Sequence, residues 1–167
     1  MLSGQTERYL DLGFGVYTRV PTGAPGANSV HSVYHCKTEK GETKLTPSSP
    51  ENLWLYRARV ERIVDADTII VLAELLDNQH KRIRVRLAGV EIPERGTEEE
   101  QRAREYLTER LKEAKGLLIK TQGADRYGRY VADILYSRIN ANSDHILEAG
   151  KHLNAELIQM TRSKASE

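Results

Sequence analysis

Arg82, Arg84 and Arg86 alternate without a break with Ile83, Val85 and Leu87 in the run RIRVRL. A period of two is the mark of a strand. Strand geometry sends the aliphatic trio to one face and the arginines to the other. A chain carrying such a segment must build a sheet with one dry face and one wet face, and it needs further strands to complete it. Residues 55–64 and 67–75 read as two of them, with the turn DNQH at 77–80 leading into RIRVRL. LLIKT at 117–121 and YVADILY at 130–136 read as two more, joined by the loop ADRYGR.

A helix separates the third strand from the fourth. TEEE at 97–100 is a capping box, threonine followed three residues later by glutamate. Ala103, Tyr106, Leu107, Leu111 and Ala114 then recur at the spacing of one helical face, and Gly116 is the expected cap. LNAELIQM at 153–160 fits a short second helix, while SRINANSDHILEAG before it carries no clear pattern. Three antiparallel strands, a helix, two strands and a helix predict an α+β domain. It is a five-stranded barrel of the oligonucleotide-binding type with two to three helices.

Residues 1–50 read as a β-rich N-terminal extension with its linker, and 51–167 as the barrel domain. In the extension, Leu10, Leu12, Phe14 and Val16 alternate with Asp11, Gly13 and Gly15, which suggests a strand. TGAPGAN follows as a loop, and VHSVYHCKTEKGETKLT as a hairpin turning near Gly41. TPSSPEN at 46–52 is rich in Pro and Ser and reads as the linker. Trp54 and Leu55 are expected to pack where that linker meets the barrel.

Twenty-five Lys and Arg balance 24 Asp and Glu. The chain is not a polycation, and any hold on a polyanion must come from basic groups gathered at one place. Cys36 is the only cysteine, which excludes an intrachain disulfide and a cysteine-rich zinc site. His31 and His35 on one strand lie about 13 Å apart, too far to share an ion. No apolar run is long enough for a membrane span and no signal-peptide pattern opens the chain, so no membrane partner is expected and a cytoplasmic location is the default.

The apolar stretch IVDADTIIV is interrupted by Asp65 and Asp67, and the strand RVRLAGVEIPERG ends in Glu91 and Glu94. Asp67 begins one strand and Glu91 follows another, so pairing of the two would let their carboxylates converge. Converging carboxylates repel unless a cation lies between them. Calcium, which takes carboxylates and main-chain carbonyls together, is the economical solution. Arg86 and Arg129 are suited to a forked grip on phosphate, and Glu94 to activating a water. Together these are the parts for hydrolysing a phosphodiester. Each has a plainer reading too. Asp65, Asp67 and Glu94 serve equally as turn formers, Arg129 as a loop cation and Tyr127 as packing, while Asp125 is read as a turn residue and Arg82 and Arg84 as a solvated strand face.

VDADTI, RVRLAGVEIPE, the helix after it, DRYGR and GKHLNAEL occur in the order and approximate spacing of the staphylococcal-nuclease-like, or thermonuclease, family, which the chain resembles over about residues 55–161. The resemblance implies the same barrel and calcium-dependent endonuclease cleavage of DNA, RNA or both, single-stranded or frayed, leaving 3′-phosphates. It implies metal binding by Asp67, Glu91 and the carbonyl of Ile92, with Asp65 in the outer shell of the metal. It also implies phosphate binding by Arg86 and Arg129, general-base action by Glu94, and contact of Arg126 and Tyr127 with the substrate's terminal phosphate.

The chain departs from the family pattern at three places. Glu91 stands for an aspartate, which moves the carboxylate by ~1.5 Å. Ala66 stands for a glycine, which would strain a backbone that needs positive φ. The tyrosines with which some relatives stack a base are missing towards the end of the chain. The rival is a non-catalytic barrel that binds single-stranded nucleic acid or a protein. Such a binder has no need of Arg86, Glu94 and Arg129 together.

Overall fold

The computed structural model describes residues 8–20, 33–40, 42–76 and 78–162, so the TGAPGAN loop, His31, Gly41 and Asp77 lie outside the described residues. The chain divides into two compact units. One is the described part of Met1–Trp54 with Leu75–Gln79, and the other is Leu55–Glu74 with the described part of His80–Glu167.

The first unit holds two hairpins. β1 (Tyr9–Asp11) pairs antiparallel with β2 (Tyr17–Arg19), and β3 (Tyr34–Glu39) with β4 (Glu42–Pro47). The single strand expected over Leu10–Val16 is thus a hairpin folded in its middle. Gly13, Phe14 and Gly15 all take positive φ, and the Asp11 carboxylate accepts the Gly13 N–H at 2.8 Å. Glycine makes that turn cheap, and an aspartate side chain stabilises it. A 3₁₀ turn, Pro50–Asn52, follows β4 within the expected linker.

The second unit is the barrel. β5 (Leu55–Asp65), β6 (Thr68–Glu74) and β7 (His80–Leu87) form an antiparallel meander. α1 (Glu98–Glu113) crosses to β8 (Gly116–Ala124), which pairs antiparallel with β9 (Tyr130–Ser137). β9 lies parallel to β7 and β8 antiparallel to β5, so the five strands close on themselves. α2 (Ser143–Ala149), the short edge strand β10 (Lys151–His152) and α3 (Leu153–Arg162) complete the unit. The α+β barrel expected with two to three helices is observed with three among the described residues. None of the described helices is long and apolar enough to cross a membrane.

The register follows from what must be dry. Ile83, Val85 and Leu87 are buried, while Arg82 and Arg84 are exposed and Arg86 half-buried. A slip by one residue would push arginines into a core where each buried aliphatic side chain contributes about 1.5–3 kcal/mol. Ile69, Val71, Ala132 and Ile134 share that core, capped by Leu107 of α1 and Leu153 and Leu157 of α3.

The capping box is present at the start of α1, where the Thr97 hydroxyl accepts the Glu100 N–H at 3.2 Å. The expected cap at Gly116 is not. α1 ends at Glu113 with Ala114 as its cap, and Gly116 opens β8. Its missing side chain serves packing, since a Cβ there would lie 2.7 Å from the Ile146 side chain of α2. α2 itself lies in the segment without a sequence pattern. It starts where Asn142 accepts the His145 N–H at 2.9 Å.

Candidate active site

The pairing of the barrel strands determines which residues meet. Thr68 at the start of β6 lies opposite Arg86 near the end of β7, and Arg86 lies opposite Val131 near the start of β9. Asp67 precedes Thr68 and Arg129 precedes β9, while Glu91, Ile92 and Glu94 follow β7. These candidate residues therefore flank neighbouring strand ends at one mouth of the barrel. The backbone stitches the mouth together. Leu87 N–H donates to the Asp67 carbonyl at 2.8 Å, and Ala88 N–H to the Ala132 carbonyl at 2.9 Å.

Asp67 and Arg86 are in direct contact. The Asp67 carboxylate accepts the buried Thr68 hydroxyl at 2.6 Å on one oxygen and Arg86 Nε at 3.2 Å on the other. Asp65 instead accepts Arg95 Nη2 at 2.7 Å. That ion pair links the β5–β6 turn to the segment after β7. Ala66 between the two aspartates is fully buried and is not among the residues with positive φ, so the strain expected from replacing glycine is absent.

Arg129 sits in the β8–β9 turn, which Asp125 organises. Asp125 Oδ1 accepts the N–H groups of Tyr127 at 2.9 Å and Arg129 at 3.0 Å, and Oδ2 accepts Arg129 Nε at 2.8 Å. Desolvation pushes the Asp125 carboxyl upward, but the hydrogen bonds from Arg129 and Tyr127 and the guanidinium charge outweigh it and hold the group below its ordinary value. Gly128 takes φ 73°, which the tight turn requires. On the same turn, the guanidinium carbons of Arg126 and Arg129 lie 4.7 Å and 5.3 Å from the centre of the exposed Tyr127 ring. An aromatic face flanked by two cations suits an anionic group carrying an aromatic base.

Arg86 and Arg129 share one device. Each engages its carboxylate through Nε. A guanidinium has five donors, so the Nη groups of both remain available for a second, phosphate partner.

Glu94 is exposed, and among the described residues its carboxylate enters no hydrogen bond or ion pair. Its main chain is fixed, because the Glu94 carbonyl accepts the Thr97 hydroxyl at 2.7 Å and the Thr97 N–H at 3.2 Å. The main chain of Glu94 is thereby held by Thr97, the N-cap of α1. Glu91 is exposed and Ile92 half-buried on the same segment. Among the described residues there is no group of three or more His, Cys, Asp or Glu side chains placed to hold a metal. Of the residues expected to bind a metal, Asp67 and Glu91 offer carboxylates and Ile92 a main-chain carbonyl. All of these donors are oxygen, and Asp67 keeps lone pairs beyond its two hydrogen bonds, so the set fits a hard cation with six to eight ligands.

Two supporting residues carried no assigned role in the sequence reading. Asp125 was read only as a turn residue, and its ion pair with Arg129 four residues on was missed. Asn154 of α3 is 1% exposed and spends its whole amide on the site's framework. Nδ2 donates to the carbonyls of Ala88 and Ala132 at 3.0 Å each, and Oδ1 accepts the Ile134 N–H at 2.9 Å. The available signal was a single asparagine on the apolar face of LNAEL.

Comparison with known proteins adds a likeness in sequence. Residues 84–164 match the family described as staphylococcal nuclease homologue. An "uncharacterized endonuclease" of Haemophilus influenzae is 32% identical over 88 residues, 53% of this chain and 47% of that protein. The matched segment spans about half the length of that relative.

Proposed function

With residues 84–164 belonging to the staphylococcal nuclease homologue family, we propose that the chain is a calcium-dependent endonuclease that hydrolyses DNA, RNA or both and leaves 3′-phosphate ends. The observation that carries this reading is the pair of arginines at one barrel mouth. Each is oriented by a carboxylate through Nε, and Glu94 lies on the segment that Arg95 ties to Asp65, its own carboxylate unengaged among the described residues.

Each part has a chemical task. The Nη groups of Arg86 and Arg129 donate to the non-bridging oxygens of the phosphate and offset the charge that grows there as phosphorus becomes five-coordinate. Glu94 removes a proton from the attacking water, the water oxygen bonds to phosphorus, and the bond to the 5′ oxygen breaks. The 5′ oxygen leaves with a proton from solvent, and the phosphate stays on the 3′ side. Asp67, Glu91 and the Ile92 carbonyl would hold Ca²⁺. When bound, that ion supplies positive charge against the phosphate oxygens and makes a nearby water more acidic. Arg126 and Tyr127 hold the terminal phosphate and its nucleotide on the β8–β9 turn. A single strand or frayed end is the favoured form, because the mouth engages one backbone.

Plasmid nicking across a calcium titration, run beside Glu94→Gln, tests the proposal. Wild type should nick only with calcium, lose activity to a chelator, and lose most of its turnover in the variant. A wild type inactive at every calcium level, but still binding single strands, would leave the barrel a binder and refute the reading.

A further inference from the structure

We propose that the outer face of β5–β6–β7, where Arg59, Arg62 and Arg84 surround Ile70 and Leu72, binds the backbone of a single nucleic-acid strand running on from the cleavage site. This rests on the nuclease reading for its direction, and on the strand register for its existence.

Cross-strand partners share a face of a sheet. Arg62 pairs with Ile70 and Ile70 with Arg84, and in the next row Arg59 pairs with Leu72 and Leu72 with Arg82. Ile69, Val71, Ile83 and Val85 are buried on the inner face, so these rows lie outside the barrel. Arg59, Arg62 and Arg84 are exposed, and Ile70 and Leu72 are half-buried.

Residues 59 and 62 are three apart and would ordinarily point to opposite faces. The register shift between Val60 and Arg62 inserts one extra residue and brings Arg62 onto the face of Arg59. A bulge that re-aims a side chain in this way is typical of functional sheet surfaces.

Of the cations on this face, Arg82 is neutralised by Glu61, which reaches it from β5, while Arg59, Arg62 and Arg84 keep their charge. The acids on the three strands are Glu61, Asp65 and Glu74. They are in ion pairs with Arg82 at 2.5 Å, Arg95 at 2.7 Å and Arg57 at 3.9 Å. Among the described residues Arg59, Arg62 and Arg84 have no such partner. In a chain with 25 basic and 24 acidic side chains, three unpaired arginines on one patch are a local excess that bulk composition does not explain.

Geometry joins the patch to the site. Arg84 precedes Arg86 by two residues on the same face, about 6.8 Å along the strand. Arg62 and Arg84 stand two strand spacings apart, about 9.6 Å, with Ile70 between them. One strand of nucleic acid laid over Ile70 and Leu72 can rest sugars and bases on the apolar centre, with arginines on both sides reaching its phosphates. The barrel face used is the one on which this architecture carries oligonucleotides.

The test is binding in calcium-free buffer with chelator, where no cleavage is required. A fluorescent 12-nucleotide oligothymidylate is titrated at several salt concentrations with wild type and with Arg59→Gln/Arg62→Gln/Arg84→Gln. Each phosphate contact on a single strand contributes ~0.7 to the slope of log K against log salt. Three lost contacts should lower the slope by about 2 and weaken binding ~10²-fold at 0.1 M salt relative to a 1 M reference. Each single variant, checked for an unchanged melting temperature, should lower the slope by ~0.7. Cleavage of a dinucleotide-sized substrate should stay within about 2-fold in the triple variant, since none of the three residues touches the reacting phosphate.

An unchanged slope in the triple variant overturns the proposal, even if the enzyme cleaves. A changed slope in a chain that never cleaves supports the face while refuting the nuclease. Polyglutamate that displaces the oligonucleotide with equal effect per charge, or that binds in its place, would make the face a protein-docking surface and also overturn it.

Discussion

Asn154→Ala removes a side chain that ties α3 to β9 and to the residue that follows β7. Of the three backbone groups it serves, the Ala132 carbonyl keeps a partner in the Ala88 N–H at 2.9 Å. The Ile134 N–H and the Ala88 carbonyl lose the amide that satisfied them. An unsatisfied buried group costs about 1–3 kcal/mol; the Ile134 N–H is buried and the Ala88 carbonyl part-buried, so the substitution should destabilise the barrel by ~2–4 kcal/mol. For a chain of this size a loss of about 3 kcal/mol lowers the melting temperature by ~6–12 °C. The Ala88 carbonyl also begins the segment carrying Glu91 and Glu94, and Ala132 lies three residues after Arg129. Turnover should therefore fall at a temperature where the variant is still folded. Thermal unfolding by circular dichroism and nicking at low temperature measure the two effects separately. Asn154→Asp sharpens the test. It keeps the acceptor for Ile134 but sets a carboxylate against two carbonyl oxygens, so it should be unstable at neutral pH and recover as acid protonates it into a donor. An alanine variant within 1 kcal/mol of wild type would refute the hydrogen-bond reasoning. A destabilised variant with undiminished turnover would refute its link to the site.

Arg86→Ala and Arg129→Ala should each reduce turnover ~10²-fold or more, the scale for removing one preorganised donor, as read by steady-state nicking. Arg129→Lys should lose nearly as much, because one ammonium cannot bridge Asp125 and a phosphate as a guanidinium does. Asp125→Asn should lower turnover with little change in apparent substrate affinity, since Arg129 stays but is no longer held. Because the Asp125 carboxyl lies below its ordinary value, the stabilisation that it gives the turn is present above the ordinary aspartate range and is lost as pH falls through the depressed value, which titration of the turn's amide resonances would follow. Burial, with Glu156 as its hydrogen-bond partner, pushes the Tyr136 hydroxyl up to about 12. A raised value means that its contribution is complete below pH ~10 and is lost as pH climbs towards 12, by about 3 kcal/mol in all. Urea unfolding of wild type and Tyr136→Phe across that range should show the loss in wild type alone.

What could be read in the sequence was what a single periodicity decides. RIRVRL announced its two faces because a slip of register by one residue buries its arginines, and TEEE announced a helix start because the capping bonds are local. The barrel followed, and its strand pairing sets Asp67 against Arg86. Where two local preferences competed, the reading failed. The alternation in Leu10–Val16 imitates a strand, but its glycines make a turn inexpensive and the hairpin wins. Gly116 looked like a helix cap, yet the constraint on it comes from Ile146, thirty residues away in the chain. The same distance problem hid the inner workings of the site. No spacing rule tells that Asn154 serves Ala88 and Ala132, or that Asp65 takes Arg95 and leaves Asp67 to Arg86. Residue types alone put two acids and several arginines near one another, which is compatible with mutual neutralisation and an inert surface. Atomic geometry distinguishes the cases. Asp67 and Asp125 each occupy only the Nε edge of their arginine, so the carboxylates fix the guanidinium planes without consuming the forked Nη edge. Such a pair is oriented but not satisfied, and an incoming phosphate can add to it without first displacing the carboxylate.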